Sequence, residues 1–574
     1  MNKQVQPEVS VEQIIRNLHR KRREVLSLPA EKALDEVLEH PQPAALVHSI
    51  TEEDFYFFIH DIGVNDAVEL LSLASDQQWE YIVDTEVWKA DRISMKALGR
   101  WLHLLLRADP DRLFRWFLKE KTEFVELYLS KNTEVRIREH DQDPSDLGEG
   151  FFTLDDVFYV RFPDALYEDK ESGREQRDEF LWEFLNRLAT RDHVTYQRVL
   201  LESSGIISAE SEEEAYRLRN VRLAEKGFMP FEEAVGVYQP LKPEGMGKWT
   251  KKLFAGSDHG GYGVPVPFYP VEMLKKDDIF TLSLSVIEIS EVLWQLQSEF
   301  AGLCNQVISA DQKQIQGREQ LRHVVEKVCG YISIGLERLT EKENTGHSVH
   351  HTAALIQKFP LSRIFRVGYG LALDLKWRAE KWHKKSWFRE AGLSLTFWGE
   401  EWLGVVGGLL IKRPLFFDNY KTGMIYREFA SIQDIRETED TLNEIVAFDK
   451  LLSHMALSPG PVTDAFLTYK NFILTFWIRH HLGLSETLSP IDIEDFKRFF
   501  RELGIGRGRA GEVPASVKES FLKWLSDKSG MDTYDITLGL GKTLENIFQE
   551  LEDEYGDVAE EYLDPRYIHL FLVM

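Results

Sequence analysis

Residues 50–63 read ITEEDFYFFIHDIG, residues 73–84 LASDQQWEYIVD and residues 108–117 ADPDRLFRWF. Aligned on Thr51, Ser75 and Asp109, the three stretches turn apolar at the same places. Leu46/Val47, Leu70/Leu71 and Leu104/Leu105 stand five and four residues before the aligned residue. Phe55, Trp79 and Leu113 stand four after it, followed by Phe58/Ile59, Ile82/Val83 and Trp116/Phe117. That spacing describes one face of a helix. Thr, Ser and Asp can each accept a hydrogen bond from the unpaired N–H groups of a first helical turn. Thr51 with Asp54 and Ser75 with Gln78 have the form of capping boxes, and Ile50 with Phe55 that of a hydrophobic staple. Pro110 follows Asp109 at the favoured first helical position. Gly63 is expected to stop the first helix and Asn65 to start a second. Helix pairs this short cannot cover their apolar faces alone and are expected to stack, with Phe55, Trp79, Leu113 and Phe117 holding the array.

Outward from this stretch, residues 1–43 read as N-terminal helices with a basic cluster at Arg20 to Arg23, broken by Pro41 and Pro43. The helical-repeat domain is placed at 44–132, with a short insertion around Trp88 to Met95. Residues 133–240 hold a small β-hairpin near Phe151 to Phe162, turning at Asp155 and Asp156, and then further helices. One of these carries Phe180, Leu181, Phe184, Leu185 and Leu188 on a stripe, and another is expected to be capped by Ser211 with Glu214. Residues 241–270, rich in Gly and Pro, are assigned to a linker or loop. Residues 271–574 form a C-terminal helical domain whose last residues, YIHLFLVM, are too apolar to hang free. The fold class is therefore all-α for the most part: stacked short helix pairs in a helical array, a β-hairpin insertion and a helical C-terminal half.

The chain has 574 residues, 43% hydrophobic and 12% aromatic, which supplies ample core. A formal charge of −26 argues against broad wrapping around nucleic acid, whose phosphates would repel it. Two cysteines, Cys304 and Cys329, are too few for a disulfide framework and fit a reducing compartment. The start, MNKQVQPEVSVEQII, has no apolar core of a signal peptide. The uncharged apolar runs around Leu403 to Ile411 and Phe472 to Ile478 fall well short of the roughly 20 residues that span a bilayer. These features lead to the expectation of a cytoplasmic protein without a transmembrane segment.

Four stretches carry possible chemistry. GHSVHH places His347, His350 and His351 close enough to share a metal on a helix, although HxxHH lacks the glutamate base of HExxH. LGLGKT, 538–543, ends like a phosphate-binding loop. Ile536 stands where its first glycine belongs, so a glycine turn before a helix Lys542 to Leu551 is expected instead. GIGRGRAG, 504–511, presents Arg507 and Arg509, whose guanidinium forks could meet an anion. Lys376 to Arg389 interleaves Trp377, Trp382 and Trp387 with six basic residues, a pattern open to core packing, partner contact or an anionic surface. The partner-binding candidates are thus Trp377, Trp382, Trp387, Arg507 and Arg509, the metal candidates are His347, His350 and His351, and no cofactor is expected.

Residues 44–129 resemble, on the ITEEDFYFFIHDIG, LASDQQWEYIVD and DPDRLFRWF units, the superhelical intracellular N-domain of MgtE-type magnesium channels. The whole chain, with LAEKGFMPFEEAVGVY (223–238) and FPLSRIFRVGYG (359–370), resembles a bacterial family of unknown function. The first resemblance implies a helical array and no channel, and the second implies no activity. The sequence thus supports a cytoplasmic helical-repeat scaffold or regulatory protein that binds a protein partner. The alternative is an enzyme with a pocket near His347, His350 and His351 or at the glycine-rich loop Gly256 to Gly263.

Overall fold

All three cap residues stand at helix N-termini in the computed structural model. Thr51 Oγ1 accepts the Asp54 N–H at 3.3 Å, Ser75 Oγ that of Gln78 at 3.2 Å, and Asp109 Oδ1 that of Arg112 at 3.0 Å. The aligned apolar side chains are buried in all three copies, none more than 4% exposed. The structure describes residues 11–574 apart from 90, 164–170, 206–207, 254–265, 275–276, 314, 342–347, 460–466 and 506–511. Among them are twenty-six α-helices and only short antiparallel strands, so the fold is mostly all-α. The chain divides into two units.

The first unit comprises Met1–Gln239, Trp249–Val328 and Ser348–Ser362. It begins with α1 (Val11–Ser27) and α2 (Ala30–Leu38), then α3 (Pro43–His48), α4 (Glu52–Ile62), α5 (Val68–Leu73), α6 (Asp76–Glu86), α7 (Met95–Ala108), α8 (Pro110–Glu120) and α9 (Thr122–Asn132). Equivalent members of the short pairs pack on one another, α3 on α5, α4 on α6 and α5 on α7. Gly63 ends α4 with φ +102°, as expected, but α5 starts at Val68 rather than at Asn65. The segment between the second and third copies forms an antiparallel pair, β1 (Trp88–Lys89) and β2 (Arg92–Ile93).

The predicted hairpin is present as β4 (Phe152–Thr153) and β5 (Phe158–Arg161), and β3 (Glu134–Ile137) adds to β5 to give the order β3-β5-β4. Asp156 makes the turn with φ +58°, and Asp155 Oδ1 accepts the Val157 and Phe158 N–H groups at 3.0 and 2.8 Å. Next come α10 (Glu171–Arg191), whose predicted stripe is buried, α11 (His193–Gly205), α12 (Ser208–Glu225) and α13 (Phe231–Ala234). The helix α12 starts at Ser208, so Ser211 lies within its bounds, and the Ser211 side chain is outside what the structure describes. The unit is completed by α14 (Phe268–Glu272), α15 (Ile279–Ser285), α16 (Ser290–Asp311), the part of α17 (Arg318–Glu341) up to Val328, and α18 (Val349–Lys358).

The second unit comprises Pro240–Lys248, Cys329–His347 and Arg363–Met574. Its helices are the rest of α17, α19 (Leu361–His383), α20 (Trp387–Glu390), α21 (Gly399–Leu410), α22 (Ile432–Met455), α23 (Tyr469–His481), α24 (Ile493–Leu503), α25 (Ala515–Ser529) and α26 (Thr533–Tyr555). A small hairpin, β6 (Phe416–Phe417) with β7 (Tyr426–Arg427), precedes α22. A continuous apolar cluster runs from Phe388 to Phe571 and includes Trp398, Phe448, Trp477 and Phe521.

Two expectations for this unit resolve differently. The chain end docks: Phe571 is 2% exposed, the Ile491 N–H donates to Leu572 O at 2.8 Å and the Met574 N–H donates to Ile491 O at 2.9 Å. The glycine turn before Lys542 is absent, because α26 already runs from Thr533 through Gly539 and Gly541. Asp532 Oδ1 caps it by accepting the Tyr534 N–H at 2.7 Å. Packing is tight where α17 meets α19. A Cβ on Gly368 would lie 2.0 Å from Tyr331 O, and one on Gly335 would lie 2.2 Å from Ile364 O. The two helices touch backbone to backbone, which only glycine permits.

Candidate functional site

In the second unit α17, α19 and α22 enclose a cleft of about 590 Å³. Its floor is Leu371, Leu375, Ile432 and Ile435, and its walls carry Arg338, Glu341, Asp374, Arg378, Lys381, Arg436 and Glu439. Trp377 stands at the rim, 47% exposed. The helix positions explain the layout: on α19, residues 371, 375 and 378 follow one another at three- and four-residue steps, so the apolar floor and its charged edge come from one face. The Gly335–Gly368 approach holds α17 against α19 just below this face.

The third wall, α22, is set by its own cap. Ser431 and Asp434 form a capping box, and the Asp434 carboxylate also receives Arg427 in a fork, Nη1 to Oδ2 at 2.7 Å and Nη2 to Oδ1 at 2.9 Å. Glu337 Oε2 of α17 accepts the Ile432 N–H at 2.8 Å, tying the first turn of α22 to the opposite wall. Across the cleft Arg378 donates to Glu439 and to Asn443, both at 2.5 Å. Glu341 takes Arg338 on Oε2 at 3.1 Å and Arg436 on Oε1.

The other tryptophans of the aromatic-basic segment go elsewhere. Trp382 stacks on Phe388 with ring centroids 5.6 Å apart and donates from Nε1 to Asp449 Oδ2 at 3.1 Å. Trp387 packs near Phe397 and Phe472, and its backbone N–H donates to the same oxygen at 3.1 Å. Burial pushes the Asp449 carboxyl above the usual carboxylate range, while its three N–H partners pull it back. Lys376 is buried and donates to Ile411 O at 2.6 Å, at the C-terminal end of α21, where a cation is favourable. Of the three tryptophans Trp377 is the exposed one, because α19 ends at His383 and the five-residue spacing does not hold a helical face.

Arg507, Arg509 and His347 lie outside the described residues, as do the glycines from Gly256 to Gly263. His350 is exposed and His351 half-buried, both near the start of α18. Among the described residues no group of three or more His, Cys, Asp or Glu side chains could hold a metal ion.

The sequence did not single out a buried ionic network on α4 in the first unit. The Asp54 carboxylate does not close its own capping box. Oδ2 accepts the Thr51 hydroxyl at 2.8 Å and the Phe268 N–H at 2.6 Å, and Oδ1 accepts the Tyr269 N–H at 3.0 Å. It thereby caps α14, 214 residues along the chain. Beside it the Glu53 carboxyl is buried, with Oε2 lacking a hydrogen-bond partner and Lys226 Nζ 3.8 Å away. Burial pushes its pKa up to about 7, with Lys226 opposing. Farther along the helix Tyr56 donates to Glu86 Oε1 at 2.5 Å, His60 lies 3.4 Å from the same oxygen, and Asp61 pairs with Arg318. The one sequence sign of this network is the density of acidic residues in TEEDFYFFIHD, in a helix whose apolar stripe is already complete. No helix of the described residues is long and apolar enough to cross a membrane, and none of those residues forms a disulfide.

A family model described as a family of unknown function, DUF6178, matches residues 12–574. No curated protein matches the chain, and no solved structure does.

Proposed function

The chain belongs to this family of unknown function, and from that premise we propose that it is a cytoplasmic helical scaffold that binds a protein partner. The observation carrying the reading is the Trp377 cleft. A rim tryptophan about half exposed, an apolar floor and charged walls are the makings of a binding hot spot, where an anchoring side chain is desolvated and charges around it set register. The walls are fixed in advance by the Gly335–Gly368 contact and the Arg427–Asp434 fork, so little ordering entropy is lost on binding.

In this reading the first unit supplies the rigid array, and the likeness of residues 44–129 to the superhelical N-domain of MgtE-type channels belongs to the proposal as an architectural parallel. A reducing compartment accords with two buried cysteines. The test is cross-linking mass spectrometry on tagged full-length protein from its native host, wild type beside Trp377→Ala. A stoichiometric protein cross-linked to α19 or α22 and lost from Trp377→Ala supports the reading. Equal recovery by both forms removes the cleft from it.

A further inference from the structure

We infer that Lys226 is a pH-driven switch between two adjacent carboxylates of α4. With Glu53 protonated its ammonium pairs with Glu52, and with Glu53 ionised it moves onto Glu53 and releases Glu52 to solvent. Nζ stands between the two, 2.6 Å from Glu52 Oε2 and 3.8 Å from Glu53 Oε2. The acceptors differ in their surroundings. Glu53 is 6% exposed and its Oε2 has no hydrogen-bond partner among the described residues, whereas the Glu52 side chain is 20% exposed and water can replace the lysine there. A buried carboxylate without a donor is costly, and a shift of about 1 Å brings Nζ within reach of a charge-assisted bond to it.

The other groups around Glu53 cannot take this part. On α4 itself Asp54 spends both oxygens on Thr51, Phe268 and Tyr269. From α1 Arg22 faces Asp54 and donates from Nη1 to Ser49 O at 2.8 Å. From α6 comes buried Tyr81, and Glu225 flanks Lys226 at the end of α12, neither of them a cation. The backbone of the lysine is fixed while its side chain moves. Asn305 Nδ2 of α16 donates to Lys226 O at 2.7 Å, and a Cβ on the next residue, Gly227, would lie 2.7 Å from Gly302 Cα. The flexible stem is thus the moving part. Burial pushes the Glu53 pKa up to about 7, with Lys226 opposing, so the exchange is centred near neutral pH. Burial lowers the Lys226 amine, but Glu53 and Glu52 hold it above its usual range, and it stays charged in both positions.

The test is carboxyl footprinting of the full-length protein with a water-soluble carbodiimide and glycine ethyl ester at pH 5.5 and pH 8. Tandem mass spectrometry reads the labelling of Glu52 relative to that of the exposed Glu545. In the wild type this ratio is expected to rise severalfold between the two pH values. Glu53→Gln keeps the side-chain volume and cannot ionise, so its ratio is expected to stay low at both. Lys226→Met sets the level for a Glu52 with no cation beside it. A wild-type ratio that is the same at both pH values overturns the switch. A rise of equal size in Glu53→Gln overturns it as well, because the titrating group would then lie elsewhere.

Discussion

Replacing Glu53 by Gln should change how stability depends on pH. The side chain is 6% exposed, and its pKa of about 7 compares with 4.5 for an unperturbed glutamate. The folded state thus holds this proton more tightly than the unfolded chain does. Below pH 4.5 both states are protonated and the carboxyl is neutral where it is buried. As pH rises from 4.5 towards 7 the unfolded chain ionises first, and stability is lost. Above 7 both are ionised and the loss is complete. A shift of that size corresponds to about 3 kcal/mol. The groups facing it are Lys226, which favours the ionised form, and Glu52, Asp54 and Tyr81, which oppose it or are themselves opposed by it. Lys226 keeps Glu52 at 2.6 Å when Glu53 is changed, so it is not orphaned. The assay is urea unfolding of wild type and Glu53→Gln at pH 4.5, 6, 7 and 8.5, read as the difference between the two proteins, in which other titrations cancel. That difference should favour the variant increasingly with pH, by about 3 kcal/mol over the range. A flat difference would refute the argument and mean that water or Lys226 solvates the carboxylate fully.

Other substitutions probe the packing. Gly368→Ala puts a methyl group 2.0 Å from a main-chain oxygen and should destabilise the second unit by about 3 kcal/mol, seen by calorimetry. Trp79→Ala empties a fully buried site and removes the Nε1 donor to Leu71 O at 2.8 Å, so a loss of about 3 to 5 kcal/mol is expected in denaturant titration. Asp434→Ala leaves Arg427 without its fork and α22 without its capping box, and should lower stability by about 3 to 5 kcal/mol. A loss under 1 kcal/mol would mean that Asp418, 2.8 Å from Arg427 Nε, suffices alone.

The sequence was most informative where the physics is local. A cap, its N–H partner and the apolar residue after it lie within one turn, so Thr51, Ser75 and Asp109 could be read directly. The Asp155–Asp156 turn was legible for the same reason. Reading failed where a residue had a distant use. Asp54 looked like the return half of a capping box, and nothing near it shows that its carboxylate serves Phe268 and Tyr269. Gly539 and Gly541 looked like a turn because glycine is a poor helix former, and the helix around them overrides that preference through buried Ile536, Leu540 and Leu544. The cleft was half visible. Trp377 stood out by composition, but Arg338 and Arg436 come from helices well before and well after it in the chain, and no spacing rule links them to it.

The carboxylate of Asp54 also has a bearing on the order in which the chain folds. A helix as short as α14, Phe268–Glu272, does not persist alone in water, because its nucleus forms too few hydrogen bonds to offset the residues it fixes. Its first N–H groups find their acceptor only after 214 residues of chain have been looped back, a closure that costs about 5 kcal/mol in chain entropy if made by this contact alone. Such a contact is expected to form after the main barrier, when the intervening helices have already shortened the loop. Weakening it with Asp54→Asn should hasten unfolding and leave the folding rate nearly unchanged, which makes this carboxylate a latch on the lifetime of the folded state.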